Sequence, residues 1–457
     1  MMYPAEVPQG QVACPIPSSP RVDGRRLRRF VVKGAGSVSK VLGDDNLLIE
    51  ILVRLPPKPS SLPRASAVCK RWGSILSDPV FHKRFRKHHR KPPLLGFFQG
   101  YANRFAPIMD SPDRIPAARF SLPKSSTPYK EHAEYMGCRH GLAVVINKHE
   151  RNTVVWDPLT GQQRSVAFPP WVDDAFMGCF CTWHGTVLCA DAEDGHVHGD
   201  CFSSPFKLVL VYGGGYNTKA FCSVYDSVSG VWGDVSSTTI RNEISVSRPS
   251  ILVGNALCWL ISGGDILVFD FEIQSFDVIE KPAEYHVDDR CFQLLRMEDG
   301  GLGLAVLSGL VVQLWERKFN CDGVVGWVLL QKTIPLEGML PRGMNYVLFV
   351  GYDEDTNVIV LTTMIGNFMI QLDSMQIKRI GKRKNMWHNT FYPYTNFYTA
   401  GRGVGRKGAA NVLSWSNNLE KHIGTKIGSE SQVIWSINVQ NRIYKLTKLK
   451  ETWGGGG

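Results

Sequence analysis

The fold of this chain is indicated by a short strand-and-turn unit, whose first copy is VVWDPLTG at residues 154–161. A second copy, SVYDSVSG, occupies residues 223–230, and shorter versions end at Asp270, Glu316 and Asp373. The closing acids are 69, 44, 46 and 57 positions apart, and two of these gaps match a propeller blade of about 40 to 50 residues. Closing such hairpin units into a ring removes their exposed edges. The pattern predicts a mainly β fold with a β-propeller of about six blades, and a β-sandwich is the alternative.

Residue types that carry catalysis are not grouped along the sequence. The glycine runs at 213–215 and 401–405 do not open a helix after a buried strand, as a phosphate loop does. No Ser/His/Asp set or carboxylate pair stands out. The recurring turn acids are expected to hydrogen-bond backbone amides; they are Asp157, Asp226, Asp270 and Asp373. The sequence predicts a non-catalytic protein without a cofactor, and a catalytic or sugar-binding propeller is the alternative.

Residues 44–90 are the helical part of the sequence. Asp44 or its neighbour can cap a helix whose apolar residues form one stripe. Three prolines at 56–59 end that helix, and Ser61 and Asp78 mark the starts of two more. Three short helices cannot bury their apolar stripes alone, so this segment is expected to dock onto a partner.

The formal charge of +11 is concentrated near the N-terminus. Residues 1–100 hold 18 Lys/Arg against 6 Asp/Glu, and the remaining residues hold 34 against 35. A nucleic-acid-binding domain carries its own basic face, so the nearly neutral large domain argues against a nucleic-acid partner. The basic run at 83–91 is interpreted as a solvated helix end with Phe81 and Phe85 packed inward.

The cysteines and apolar runs indicate the compartment. The eleven cysteines lack regular spacing, and several lie inside apolar runs, such as ALCW at 256–259. This usage is typical of small buried side chains in a reducing compartment. The longest apolar stretch, at 302–312, is too short to span a bilayer. The protein is expected to be soluble, to have no membrane partner, and to lie in the cytoplasm, the nucleus or both.

Cysteine and histidine residues are densest between positions 179 and 201. Seven of them could supply zinc ligands: Cys179, Cys181, His184, Cys189, His196, His198 and Cys201. Their spacing lacks the paired CxxC or HxxxH knuckles of zinc-binding modules. The sequence favours an ordinary loop and strand here, without a metal.

Two further stretches carry a family resemblance. Residues 47–58, LLIEILVRLPPK, followed by ASAVCKRW at 65–72, closely resemble the F-box of plant F-box proteins. LSDPVF at 76–81 and PPLLGFF at 92–98 resemble the junction in that family between the F-box and an F-box-associated, kelch-like propeller.

The resemblance implies the substrate receptor of a ubiquitin ligase. In that family the F-box packs against a Skp-type adaptor, which links it to a cullin and a RING subunit, while the propeller binds a target protein. By motif position the adaptor-facing residues are Leu42, Leu55, Pro56, Leu62, Val68, Cys69 and Trp72. The family usually opens with Leu-Pro, whereas this chain has Leu42-Gly43, which leaves the first turn less fixed.

Target specificity is expected in the blade loops, where aromatic side chains can anchor a partner. The candidates are Trp171, Tyr216 and Tyr394, and packing in the core or at the rim is the alternative for each. The predicted domains are a basic tail at 1–40, the F-box at 41–92, the propeller at 93–418 and a C-terminal tail at 419–457.

Overall fold

A computed structural model provides the fold, and residues from Ile49 onward pack as one compact unit. The residues that the structure describes are 43–100, 104–121, 133–172, 182–191, 196–214, 217–245, 248–282, 289–319, 323–343, 346–382, 390–398, 433–439 and 442–448. No helix in this described part of the chain has the length and apolar character needed to cross a membrane. The predicted basic tail and Leu42 lie outside these residues.

The N-terminal region is helical, as its capping residues predict. Its helices are α1 (Asp45–Val53), α2 (Ser61–Ser66), α3 (Lys70–Ser77) and α4 (Pro79–His89). The Asp44 carboxylate accepts hydrogen bonds from the backbone N–H groups of Asn46 and Leu47, and Asp78 accepts from the N–H of Val80 at 2.9 Å. Both acids therefore satisfy donors that a helix start leaves open.

Between residues 44 and 90, all of which the structure describes, there are four helices where the sequence predicts three. Cys69 adopts an extended backbone, with φ −161° and ψ 165°, and so separates α2 from α3. Leu62 in α2 and Trp72 in α3 are both buried. The break at Cys69 therefore allows each short helix to direct an apolar side chain into the interior.

All other described elements are strands or short turns. In chain order the strands are β1 (Leu94–Gln99), β2 (Arg104–Pro107), β3 (Ala133–Arg139), β4 (Leu142–Asn147), β5 (Asn152–Trp156), β6 (Gln163–Ala167), β7 (Thr182–Cys189), β8 (Phe206–Gly214), β9 (Asn217–Asp226), β10 (Val231–Trp232), β11 (Ser236–Thr239), β12 (Ile251–Val253), β13 (Ala256–Leu260), β14 (Ile266–Asp270), β15 (Ser275–Ile279), β16 (Phe292–Arg296), β17 (Leu302–Ser308), β18 (Val311–Phe319), β19 (Val325–Pro335), β20 (Val347–Asp353), β21 (Val358–Thr363), β22 (Gly366–Gln371), β23 (Ile377–Gly381), β24 (Phe391–Thr395), β25 (Val433–Val439) and β26 (Arg442–Lys448).

The strands form six antiparallel blades. Blade 1 is β3–β6, blade 2 is β7–β10 with β11 also paired to β9, blade 3 is β12–β15, blade 4 is β16–β19 and blade 5 is β20–β23. Blade 6 has the order β2-β1-β24, so the last strand of the ring pairs with the first strand after the helices. Gln99 lies opposite Phe391 in that pairing. Strands β25 and β26 form a separate hairpin.

Apolar side chains fill the spaces between successive blades. Blades 1 and 2 share one cluster, blades 2 and 3 a second, and blades 3, 4 and 5 a third. Phe97 and Phe391 of blade 6 pack with blade 5, and Phe98 and Tyr394 of blade 6 pack with blade 1. The ring is therefore closed, which confirms the predicted six-bladed propeller and excludes the β-sandwich alternative.

The predicted role of the turn acids is confirmed in three blades. Asp157, Asp226 and Asp270 each accept hydrogen bonds from the backbone N–H groups two and three residues further on. The prediction is wrong for Asp373, whose carboxylate accepts from the side-chain amides of Asn357 and Gln371.

Candidate functional site

Three of the predicted adaptor-facing residues are buried in the helical segment, which is defined here as residues 45–89. Leu55, Leu62 and Trp72 are buried, with side chains 9%, 1% and 6% exposed. Their burial stabilises the packing of the short helices, since burying one apolar side chain contributes about 1.5 to 3 kcal/mol to the free energy of unfolding.

The other described residues of that set lie nearer the surface. Pro56 and Cys69 are exposed, and Val68 is half-buried. Val80, at the start of α4, is 65% exposed. The helical segment therefore exposes a few small apolar groups to solvent. Which of the seven residues contact an adaptor stays a prediction.

Helix α4 attaches the helical segment to the propeller. Phe85 is buried, and its ring meets that of Phe397 edge-on with 6.0 Å between the centroids. Phe81 is buried as well, which confirms the predicted inward packing of both phenylalanines. Arg86 departs from the predicted solvated face, because it forms an ion pair with Asp200 at 3.5 Å and its side chain is only 15% exposed.

A second contact lies at the start of α2. The Ser60 hydroxyl and backbone N–H both donate to the Asp113 carboxylate, at 2.6 Å and 3.1 Å. Two separate points of attachment restrict the helical segment to one orientation on the propeller. The hydrogen bonds of Ser60 to the Asp113 carboxylate and the ion pair of Arg86 with Asp200 support this orientation.

The predicted target anchors occupy different environments. Tyr394 is fully buried in the cluster between blades 6 and 1, and its hydroxyl accepts a hydrogen bond from the Asn396 side-chain amide at 3.0 Å. Trp171 is half-buried and stacks on Tyr212 with 5.1 Å between the ring centroids. Tyr216 lies outside the described residues. Target binding by these residues stays a prediction.

Four of the seven cysteine and histidine candidates converge. The ligand atoms of Cys189, His196, His198 and Cys201 all lie within 4.8 Å of one another. A hydrogen bond from the Cys201 thiol, with a further one from His198, lowers the pKa of Cys189 to about 4, although burial opposes the shift. The same bond to Cys189, together with burial, raises the pKa of Cys201.

The remaining three candidates do not join this cluster. His184 is buried in β7, and burial lowers its pKa to about 4. Cys179 and Cys181 lie outside the described residues. Sequence reasoning missed His140, whose Nδ1 accepts from the backbone N–H of Cys189 at 3.0 Å. No local signal could have found His140, because it is 49 positions from Cys189.

Known proteins share both parts of this architecture. Residues 134–367, just over half of the chain, match the family model described as F-box protein AT5G49610-like, beta-propeller. Residues 45–88 match the F-box-like family model. The two matches cover the blades and the helical segment respectively.

Curated proteins of Arabidopsis thaliana are similar over longer stretches. The predicted F-box protein At3g25460 is 22% identical over 360 residues, which are 74% of this chain and 89% of that protein. F-box protein At5g07610 is 27% identical over 292 residues, 58% of this chain and 62% of that protein. The predicted F-box/kelch-repeat protein At3g17540 is 27% identical over 280 residues, 56% of this chain and 63% of that protein. With an F-box-like helical segment joined to a closed six-bladed propeller, the chain belongs to the F-box protein AT5G49610-like, beta-propeller family.

Proposed function

We propose that this protein is the substrate receptor of a Skp/cullin/F-box ubiquitin ligase. The helical segment binds a Skp-type adaptor, and the adaptor connects the chain to the cullin and the RING subunit. The propeller binds a target protein. Proteins with this pair of domains are generally non-catalytic adaptors.

The observation that carries the proposal is the pairing of an F-box-like segment with a propeller that needs no further chain to complete it. Blade 6 closes through β1 and β24, so the ring leaves its loops available for a target. Pro56 and Cys69 are exposed on the helical segment, in positions that the family resemblance assigns to the adaptor interface.

In this function the chain performs no bond chemistry. It raises the effective concentration of a target near the ubiquitin-charged enzyme, and it orients the target for transfer. The contacts of Phe85 with Phe397 and of Arg86 with Asp200 support this role. A rigid connection keeps the distance between adaptor and target constant, whereas a flexible one would dilute the target over many positions.

We place the protein in the cytoplasm, the nucleus or both. Cys222 and Cys258 are buried among apolar residues, a use of cysteine that is typical of a reducing compartment. A fluorescent fusion of the full chain tests this placement, and accumulation in a secretory compartment would contradict it.

Adaptor binding is tested by calorimetry with the full chain and a purified Skp-type adaptor. The variant carrying Val68→Asp and Cys69→Arg places charges on the proposed interface and leaves the buried residues unchanged. We expect it to bind the adaptor at least about tenfold more weakly, the loss typical of an interface hot spot.

Val228→Ser is the matched control, because Val228 is 76% exposed in a turn of blade 2. This variant should bind the adaptor with the affinity of the unchanged protein. Equal affinity in the Val68→Asp, Cys69→Arg variant, with its circular dichroism spectrum preserved, would remove the helical segment as the adaptor site. Recovery of cullin and RING subunits through the adaptor tests the rest of the assembly.

A further inference from the structure

The 189–201 region brings together two thiols and two imidazoles with the separations of a metal site. Cys189 ends β7, and Cys201 begins a short helical turn. Nε2 of His196 lies 3.4 Å from the Cys189 sulfur and 3.5 Å from the Cys201 sulfur. Nδ1 of His198 lies 3.5 Å from the Cys201 sulfur. With Zn–S near 2.3 Å and Zn–N near 2.0 to 2.1 Å, a tetrahedral site separates sulfur from nitrogen by about 3.6 Å.

His196 is held in the orientation that a ligand needs. Its Nδ1 lies 3.2 Å from Oδ2 of Asp191, and the same carboxylate oxygen accepts a hydrogen bond from the Ser204 hydroxyl at 2.8 Å. A proton shared with Asp191 on Nδ1 leaves the lone pair of Nε2 directed at the two sulfurs. A carboxylate behind a ligand histidine is the usual supporting arrangement at zinc.

His198 is also held in place. Its ring stacks on that of His140, with 3.5 Å between centroids and 9° between planes. His140 is itself fixed by the hydrogen bond from the backbone N–H of Cys189. His196 and His198 are therefore oriented by different neighbours, His196 by Asp191 and His198 by His140.

We propose that Cys189, His196, His198 and Cys201 bind one Zn²⁺ ion in a structural site. A set of two thiolates and two imidazoles is typical of structural zinc sites, in which the four ligands are arranged tetrahedrally. Four protein ligands complete the coordination, so the site has no position open for a substrate. Cys201 is buried and the other three are half-buried, which leaves a path for the ion to enter.

The site would stabilise the loop that supports the helical segment. Asp200 precedes the ligand Cys201 and pairs with Arg86 of α4. Gly199 lies against Phe397, because a Cβ atom at Gly199 would come within 2.8 Å of the Phe397 ring. Phe397 in turn contacts Phe85 of α4. Zinc would therefore stabilise the residues of the propeller that contact α4, which are Asp200 and, through Gly199, Phe397. This structural role goes beyond the proposed receptor function.

The test uses the full chain, purified with a tag that contains no histidine and with a reductant present. Elemental analysis should find about one zinc per chain. Replacement of zinc by Co²⁺ should produce a thiolate-to-cobalt charge-transfer band and the intense visible bands of tetrahedral cobalt. Cys201→Ala and His196→Asn should each lose the zinc and the cobalt spectrum.

Matched controls exist for both substitutions. Cys258→Ala also removes a buried thiol, and His184→Asn also removes a buried imidazole, but neither residue belongs to the cluster. Both controls should keep the zinc content of the unchanged protein. Asp191→Asn keeps all four ligands and should weaken zinc affinity by about 10- to 100-fold. The zinc affinity of this variant tests the site even if a variant that lacks a ligand does not fold.

Three results would overturn the proposal. The unchanged protein could contain no zinc and give no thiolate-to-cobalt band on reconstitution. The ligand variants could retain as much zinc as their controls. Mass spectrometry could find Cys189 and Cys201 joined in a disulfide in the purified protein. Adaptor affinity does not enter any of these measurements, so a failure of the receptor proposal is recognised separately.

Discussion

Arg139 of blade 1 and Glu354, which directly follows β20 of blade 5, form a buried ion pair with 2.8 Å between Nε and Oε1. Their side chains are 7% and 11% exposed. The other carboxylate oxygen of Glu354 accepts from the backbone N–H of Leu252 in blade 3 at 2.8 Å, and Arg139 also donates to Thr186 of blade 2. One pair of charges thus connects four blades.

Glu354→Gln should destabilise the propeller strongly. The substitution keeps the shape of the side chain but leaves the Arg139 charge buried without its counter-ion, which typically costs about 3 to 5 kcal/mol. The urea midpoint of the full chain measures the loss. Glu134→Gln is the control, because Glu134 pairs with Lys148 at 3.5 Å on the surface, where a pair contributes less than about 1 kcal/mol. Equal midpoints for the two variants would contradict the structural role of the buried pair.

Gly351→Ala should weaken the junction of blades 5 and 6. A Cβ atom at Gly351 would lie 2.4 Å from the carbonyl oxygen of Phe391, and overpacking of this kind costs about 1 to 3 kcal/mol. The thermal midpoint should fall accordingly. Gly381→Ala, at the end of β23, places its Cβ atom within 4 Å of no other atom and should leave the midpoint nearly unchanged. A Gly351→Ala protein as stable as Gly381→Ala would show that the ring opens easily at this junction.

His184 should make stability depend on pH. Burial lowers its folded-state pKa to about 4, below the unfolded value of about 6.5. Because the unfolded chain binds this proton more readily, the stability is complete above pH 6.5 and declines as the pH falls towards 4. At pH 5 the loss should be about 2 kcal/mol relative to pH 8.

His184→Asn removes this titration, while the other histidines titrate alike in both proteins. The difference in unfolding free energy between the two proteins should therefore change by about 2 kcal/mol between pH 8 and pH 5. Urea unfolding at both pH values provides the measurement. A difference that is independent of pH would mean that His184 takes up its proton without opening the fold.

Target capture by the protein should be nearly independent of salt. Outside residues 1–100 the chain holds 34 basic and 35 acidic residues, so a target is expected to bind through shape and aromatic contacts, which salt screens little. Binding governed by phosphate contacts would weaken by about 10³ to 10⁵ between 50 and 200 mM salt. Binding is measured at increasing salt with the full chain and with a variant in which the basic residues before position 92 are neutralised. Any steep salt dependence of the full chain should be lost in that variant. A steep slope that survives neutralisation of those residues would indicate a nucleic-acid partner.

Features encoded within a few residues could be predicted from the sequence. The spacing of the turn acids indicated the blades, because a β-hairpin and its turn are specified by about a dozen neighbouring residues. Asp78 followed by a proline predicted the start of α4 for the same reason. Phe81 and Phe85 were expected to be buried, since their spacing places them on one face of a helix.

Features that join distant parts of the chain were decided only by the tertiary structure. Closure of the ring places Gln99 opposite Phe391, and it buries Tyr394, which the sequence presented as a possible surface anchor. The tertiary structure also brings together Cys189, His196, His198 and Cys201, whose spacing lacks the CxxC or HxxxH pairs of zinc-binding modules. Hydrophobic periodicity and turn chemistry act over a few residues, whereas contacts between blades depend on how the whole ring closes. The sequence by itself therefore determined the type of repeated unit, whereas the tertiary structure decided how many units close the ring and which side chains meet.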